Sequence, residues 1–103
     1  MHSLIEQNRR NIAALCRKFG VERLEVFGSV VRDDFDPGRS DVDVLIEFDG
    51  SEPTRRFENY LEFKESLERL FARPVDLIES SALRNRRLRR HIAQSKQPVY
   101  AAA

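Results

Sequence analysis

The sequence contains little cysteine and lacks the long apolar runs that cross membranes. Cys16 is the single cysteine among 103 residues, and one cysteine can form neither an internal disulfide nor a cysteine-based zinc site. Its place in the apolar repeat of the first predicted helix indicates a buried structural thiol. No apolar stretch approaches the roughly 20 residues that a membrane span needs, and the N-terminus lacks an apolar signal core. We therefore expect a cytoplasmic protein.

Glycine and proline are also scarce, at four residues each, and 41% of the chain is hydrophobic. This composition is typical of a globular protein, and the length supports a single domain over residues 1–103. A chain this short buries only about 60 to 65% of its unfolded surface, which leaves little room for both an active site and a separate substrate-binding domain. Part of the substrate-recognising surface is therefore expected on another protein.

Acidic residues are absent from the C-terminal quarter of the chain. Residues 80–103 carry six basic and no acidic side chains, whereas residues 1–79 carry 12 basic and 17 acidic ones. The body therefore has a net charge of −5 and the tail one of +6. This asymmetry suggests an acidic site that needs cations in the body and an anionic or acidic partner for the tail. A solvated helix face explains the basic tail about equally well, and no Phe or Trp lies among its arginines to stack on bases.

Apolar periodicity predicts an α/β fold in the order helix, strand, strand, helix, strand, helix. The predicted helices span residues 4–19, 54–73 and 80–93, and the predicted strands span residues 21–27, 41–48 and 75–78. A short helical turn and a loop fill residues 30–40, and residues 98–100 add an extended piece. The rings of Phe57, Tyr60 and Phe71 are interpreted as core. Leu83, Leu88 and Ile92 give the last helix a thin apolar stripe, and His2 and His91 have no evident role.

Two aspartates open the second predicted strand. Residues two apart in a strand point to the same face, so Asp41 and Asp43 would place their carboxylates side by side, with Cα atoms about 7 Å apart. Such a pair is costly unless a cation or a proton neutralises it, and Mg²⁺ commonly joins one or two carboxylates to substrate phosphates. Two such ions, about 3.5 to 4 Å apart, can stabilise an in-line displacement at phosphorus. Asp76 in the third strand is the candidate third ligand if the two strands are neighbours.

Gly28 and Ser29 stop the first predicted strand. A glycine at this place lets backbone amides approach phosphate oxygens closely, and Ser29 adds a hydroxyl donor. Arg32 and Arg39 would neutralise more of a triphosphate. Each feature alone has an ordinary explanation, because Gly-Ser is commonly a turn, Asp-x-Asp a solvated strand edge and arginine a surface charge. The combination is much less expected by chance.

Three segments together resemble a known family. Phe27-Gly28-Ser29, an eleven-residue spacer, Ser40-Asp41-Val42-Asp43-Val44-Leu45 and the later Val75-Asp76-Leu77-Ile78 are similar to the signature of the minimal nucleotidyltransferases of the DNA polymerase beta superfamily. The resemblance spans nearly the whole chain. It implies the polymerase beta-like nucleotidyltransferase fold, an α/β (α+β) arrangement in which a small mixed sheet packs with helices.

The resemblance also implies an activity and a set of site residues. Members of this family transfer a nucleoside monophosphate, usually AMP from ATP, to a hydroxyl and release pyrophosphate. Many are antitoxins that silence a HEPN-type ribonuclease toxin by adenylylating a tyrosine. By this resemblance Asp41, Asp43 and Asp76 bind two Mg²⁺ ions, and Asp76 is the base for the acceptor hydroxyl. The ATP substrate is held by Gly28, Ser29, Arg32, Arg39 and Ser40.

The sequence departs from the family pattern at two places. Its spacer is one residue longer than usual, and Asp33 replaces a glycine, which adds a negative charge near the expected phosphates. An aminoglycoside-type nucleotidyltransferase is disfavoured, since those proteins generally carry an additional helical domain. Two alternatives from other classes stay open: a non-catalytic antitoxin that occludes its partner, and a nucleic-acid-binding protein that uses the basic tail.

Overall fold

A computed structural model of the protein describes residues 2–32, 36, 40–50 and 53–102. The helices in this part of the chain are α1 (Ser3–Gln7), α2 (Arg9–Phe19), α3 (Arg56–Phe71) and α4 (Arg86–Ser95). The strands are β1 (Val21–Phe27), β2 (Val42–Phe48), β3 (Val75–Glu79) and β4 (Gln97–Ala101). Short 3₁₀ turns lie at Gly28–Val30, Pro53–Arg55 and Ser80–Ala82.

The four strands form one mixed sheet in the order β3-β2-β1-β4. Strand β1 pairs antiparallel with both β2 and β4, whereas β2 and β3 are parallel. The parallel pair is possible because α3 crosses between β2 and β3. Pro98 lies in β4 at the sheet edge, where a strand tolerates a residue that lacks an N–H. The predicted α/β class and the mixed sheet are confirmed, and the extended piece at the C-terminus is a true strand.

The first helix differs from its prediction because Asn8 interrupts it. The Asn8 side-chain amide donates to the Leu4 carbonyl at 2.8 Å, and its backbone N–H bonds to the Ile5 carbonyl at 3.1 Å. The side chain thus takes the carbonyl that the helix would offer to the Asn8 N–H, as Asn side chains often do. A new helix, α2, begins at Arg9 and ends at Phe19. Gly20 caps it with a φ of 72°, the left-handed conformation that glycine adopts readily.

One face of the sheet carries the main core. Helices α2 and α3 cover it with buried side chains such as Ile12, Phe63 and Leu67, which pack against the apolar faces of β1, β2 and β3. Cys16 is completely buried in this core, and desolvation raises the pKa of its thiol to about 12. The prediction of a buried structural thiol is therefore confirmed.

Helix α4 packs on the opposite face of the sheet. Its Ile92 is buried against Phe27 and Leu45 in a second, smaller cluster. The helix begins later than predicted, because the Asn85 side chain accepts a hydrogen bond from the Leu88 N–H at 3.1 Å and caps it. Leu88, assigned to the apolar stripe, is 40% exposed, so this prediction was wrong and Ile92 is the main anchor of the helix.

The aromatic residues of α3 do not all face the core. Phe71 is buried and Tyr60 packs against the core from a partly buried position, but Phe57 is 73% exposed. The prediction for Phe57 was therefore wrong. Phe57 lies three residues before Tyr60, at the solvent-exposed edge of the apolar face of α3. Exposed apolar side chains are common on protein surfaces.

His2 has a structural role that the sequence did not indicate. Its side chain accepts a hydrogen bond from the Leu4 N–H at 3.0 Å and caps α1, and its backbone N–H donates to the Val30 carbonyl at 2.8 Å. His2 thus ties the start of the chain to the turn that follows β1. Across the described ranges, no helix is both long enough and apolar enough to cross a membrane.

Candidate active site

Asp43 and Asp76 lie directly beside each other at one end of the sheet. They are register partners across the parallel strands β2 and β3, which places their backbones about 4.8 Å apart. The Val42 N–H donates to the Pro74 carbonyl at 3.1 Å and so fixes β3 against β2. The Tyr60 hydroxyl donates to the Leu77 carbonyl at 2.6 Å and ties β3 to α3. The expected neighbourhood of the two aspartates is thus confirmed.

The third carboxylate belongs to Asp41, one residue before β2 begins. Asp41 and Asp76 are exposed, whereas Asp43 is half-buried. The pKa of Asp43 is raised from 3.8 to about 6, mainly by desolvation and then by the negative charges of Asp76 and Asp41, while Arg32 opposes the shift. The three carboxylates and Arg32 therefore share one electrostatic environment.

Gly28 is positioned against the Asp43 carboxylate. Its φ is +71°, and a Cβ atom built on it would overlap Asp43 Oδ2 and lie 3.4 Å from Asp43 Cγ. Glycine is required at this place both for its backbone conformation and for the lack of a side chain. The turn from β1 thus brings the main chain of Gly28 next to the Asp43 carboxylate. The predicted approach of this turn to phosphate oxygens stays a prediction.

The other predicted nucleotide-binding residues have different surroundings. Ser29 is partly buried in the 3₁₀ turn, and the Arg32 N–H donates to the Gly28 carbonyl at 3.2 Å. Ser40 closes its own loop, because its Oγ accepts from the Asp36 N–H at 3.0 Å. Arg39, like the departure at Asp33, lies outside the described residues. The roles of these residues toward a nucleotide stay predictions.

Ser95 is a residue of this site that the sequence did not reveal. It lies in the last turn of α4, and its Oγ accepts a hydrogen bond from the Gly28 N–H at 3.2 Å. A serine near the end of a basic helix carries no motif, so only the packing of α4 on the sheet brings it to the glycine. Ser95 holds the Gly28 peptide in its orientation.

Replacing Ser95 by Ala is expected to raise the KM for the nucleotide about fivefold. The change leaves the Gly28 N–H without its acceptor, which costs about 1 kcal/mol for a neutral hydrogen bond. Steady-state kinetics of the Ser95→Ala and Ser95→Thr variants would test this, since threonine keeps the hydroxyl and should retain a near wild-type KM. An unchanged or lower KM in the alanine variant would contradict a positioning role.

The donor set at this end of the sheet suits a divalent cation. Neighbouring carboxylates help to raise the pKa of Asp43, and a bound cation would relieve that repulsion, since carboxylate oxygens are the ligands that Mg²⁺ prefers. Within the ranges described, no three His, Cys, Asp or Glu side chains are already arranged as a metal-binding group. Asp41, Asp43 and Asp76 as metal ligands therefore stay a prediction.

Comparison with known proteins assigns this geometry to a family. Residues 9–99 match the family described as Nucleotidyltransferase domain. The protein adenylyltransferase MntA of Thermococcus cleftensis is 38% identical over 71 residues, which cover 69% of this chain and 68% of the relative. A protein of Methanocaldococcus jannaschii, named as a candidate protein adenylyltransferase, is 31% identical over 86 residues, or 84% of each chain.

Solved structures agree with the family match. A candidate minimal nucleotidyltransferase superposes with a TM-score of 0.77 at 29% identity, over 95% of this chain and 96% of the other. The fold is also similar to that of a complex between a tri-AMPylated HEPN toxin of Shewanella oneidensis and its MNT antitoxin, with a TM-score of 0.66 at 15% identity, over 95% and 73% of the two chains. This chain therefore belongs to the nucleotidyltransferase-domain family and is a nucleotidyltransferase of the minimal type.

Proposed function

We propose that this protein is a Mg²⁺-dependent protein adenylyltransferase that acts as an antitoxin. It transfers AMP from ATP to a hydroxyl, that of a tyrosine, on a HEPN-type toxin. The observation that carries the proposal is the register pair of Asp43 and Asp76 with the Gly28 peptide against it. Carboxylates and a close backbone turn at one sheet end suit a nucleoside triphosphate and its cations.

The binding residues divide between cations and phosphates. Asp41, Asp43 and Asp76 would hold two Mg²⁺ ions, which supply charge neutralisation at the reacting phosphate when bound. Gly28, which has no side chain, would let the triphosphate approach the turn. The Ser29 N–H and hydroxyl would bind it, since the Gly28 N–H donates to Ser95 Oγ. Arg32, Arg39 and Ser40 complete the proposed nucleotide site.

The transfer itself is a displacement at the α-phosphorus of ATP. The acceptor hydroxyl oxygen forms a bond to this phosphorus, the bond to the bridging oxygen of pyrophosphate breaks, and the hydroxyl proton passes to the Asp76 carboxylate. Asp76 suits this role because it is exposed at the sheet edge, where a partner's hydroxyl can reach it. The reactants must be held in line for the displacement, and the register of β2 and β3 fixes the two aspartates for that purpose.

A partner protein is proposed because the acceptor has to come from outside the site. The proposal takes support from the named protein adenylyltransferases among the relatives and from the HEPN toxin seen with an MNT antitoxin of the same fold. The exposed arginines of α4 lie on the same helix as Ser95, whose side chain contacts Gly28. They suit an acidic partner surface near the acceptor hydroxyl.

The experiment combines the protein, its co-expressed toxin partner, ATP and Mg²⁺, and measures the intact mass of the partner. We expect the partner to gain the mass of one or more AMP groups and to lose its ribonuclease activity. The Asp41→Asn/Asp43→Asn double variant should abolish both effects. The Glu22→Gln/Glu65→Gln double variant is the matched control, because it removes two exposed carboxylates elsewhere and should leave both effects intact.

Other outcomes would decide between the alternatives. If the wild type modifies nothing and the Asp41→Asn/Asp43→Asn variant still silences the toxin, the protein acts by occlusion and the transferase proposal fails. Salt-sensitive binding of RNA that disappears when Arg86, Arg87, Arg89 and Arg90 are replaced would instead support nucleic-acid binding by the tail.

A further inference from the structure

A second concave site lies at the end of the sheet opposite the carboxylates. It is a cavity of about 440 Å³ between the last turn of α2, the end of β2 and the first two turns of α3. The register of β1 and β2 pairs Val21 with Phe48 at the cavity end and Phe27 with Asp43 at the carboxylate end. The two sites are therefore about 20 Å apart along the strands.

The side chains around this cavity carry a net positive charge. Among the residues that the structure describes, four cations line it, Arg17, Lys18, Arg55 and Arg56, against two carboxylates, Asp49 and Glu62. Residues 1–79 as a whole, with these side chains included, have a net charge of −5. A local charge of +2 in a concavity of an acidic body attracts small anions, since clefts lined by one sign of charge concentrate the opposite ion.

Two of the cations are held in place by aromatic rings. Lys18 Nζ lies 5.3 Å from the centroid of the Phe19 ring, and Arg56 Cζ lies 5.9 Å from the centroid of the Phe48 ring. Such cation–π contacts reduce the freedom of long side chains that an anion would otherwise have to immobilise. The two rings thus preorganise cations on neighbouring walls of the cavity.

The other two cations stand at helix ends. Arg17 is in the last turn of α2, where it also offsets the negative end of that helix, and Arg55 precedes α3, whose start has no side-chain cap. Arg55 pairs with Glu58 at 3.7 Å, but both side chains are exposed and such a pair exchanges easily for another anion. Guanidinium groups at the end of α2 and just before α3 can therefore converge on one ligand.

We propose that this cavity is a second binding site, which takes the polyphosphate group of a small molecule. Its volume falls in the range of small-ligand sites, about 300 to 1,000 Å³, and is ample for a pyrophosphate. Three guanidinium groups and an ammonium match phosphate oxygens through charge-assisted, partly bidentate hydrogen bonds. Binding here requires neither the carboxylates nor divalent cations, which separates this site from the nucleotide site proposed above.

The test is a titration of ¹⁵N-labelled protein with inorganic pyrophosphate in the presence of a metal chelator, followed by NMR. Gly20, Gly50 and Asn59 report on the cavity, and Gly28 reports on the carboxylate end. We expect saturable shifts at the cavity amides and little change at Gly28. A parallel titration with ATP shows which molecule supplies the polyphosphate group. The ligand that binds the cavity more tightly, pyrophosphate or ATP, is the preferred one.

A pair of double variants makes the test specific. Arg17→Gln/Arg55→Gln should weaken pyrophosphate binding at least about tenfold, because it removes two charge-assisted hydrogen bonds. Arg87→Gln/Arg90→Gln removes the same charge from exposed positions of α4 and should leave the affinity unchanged. The proposal is overturned if the cavity amides do not shift, or if both variants weaken binding equally. These outcomes are independent of whether AMP transfer occurs, because the measurement needs no activity.

Discussion

The Asp43→Asn variant is expected to lose at least about 10³-fold of nucleotidyl transfer while its metal-free form becomes more stable than the wild type. The loss of rate follows if Asp43 helps to hold the cations, since metal ions supply several kcal/mol of charge stabilisation and each 1.36 kcal/mol is a tenfold change in rate. The gain in stability follows from electrostatics, because Asp43 is half-buried beside Asp76 and Asp41. Loss of activity with gain of stability distinguishes a functional carboxylate from a structural one.

The pH dependence of this effect has a definite sign. The pKa of Asp43 is about 6 in the folded protein, against 3.8 for an unperturbed aspartate. Between these values the folded state binds more protons than the unfolded state, so stability falls as the pH rises through this window. Above pH 6 Asp43 is largely ionised in the folded protein as well, and the loss of free energy of unfolding is complete. It is on the order of 1 to 2 kcal/mol once solvent screening of a half-buried group is allowed for.

The measurement is urea unfolding in a chelator at pH 4 and at pH 7. The wild type should lose stability between the two values relative to Asp43→Asn, whose amide does not titrate. Glu65→Gln is the control, because Glu65 is exposed on α3 and its replacement should leave the wild-type pH dependence intact. A variant that is inactive but clearly less stable at pH 7 would contradict the assignment of Asp43.

Gly28→Ala is expected to destabilise the protein by about 2 to 5 kcal/mol and to abolish transfer. Part of this cost is the left-handed backbone, at about 1 to 2 kcal/mol for a residue with a Cβ. The rest arises because the new methyl group overlaps the Asp43 carboxylate, and overpacking typically costs about 1 to 3 kcal/mol. The displaced carboxylate would also leave the position that the site requires.

Gly50→Ala provides a close control for this prediction. Gly50 has a φ of +79°, similar to that of Gly28, but a Cβ atom there meets no atom of the described residues within 4 Å. Its replacement should therefore show the backbone cost alone, with activity retained. Urea unfolding and transfer assays of the two variants separate strain from overlap. Equal losses of stability and activity in both would show that the contact between Gly28 and Asp43 is unimportant.

The local sequence pattern predicted the strands that carry the site better than it predicted the bounds of the first and last helices. The strands that carry Asp43 and Asp76 alternate clearly, because one face of each packs on the core, and the glycine at the end of β1 marks the turn. The break at Asn8 and the late start of α4 were missed, since each depends on which backbone group one Asn side chain bonds. Such choices between local hydrogen bonds leave no periodic signal.

The mixed α/β class, the three aspartates and the Gly-Ser turn could be read from the chain alone, because they depend on periodicity and on residue types that phosphate chemistry needs. Three contacts follow from packing instead. Asp43 and Asp76 are register partners, and Gly28 lies directly against the Asp43 carboxylate. Ser95, 67 residues further along the chain, accepts a hydrogen bond from the Gly28 N–H. Packing also brings four cations, from the end of α2 and from the turn and helix start at Arg55 and Arg56, to one cavity. Contacts between distant residues are set by how the elements pack, and no pattern within a single element records them.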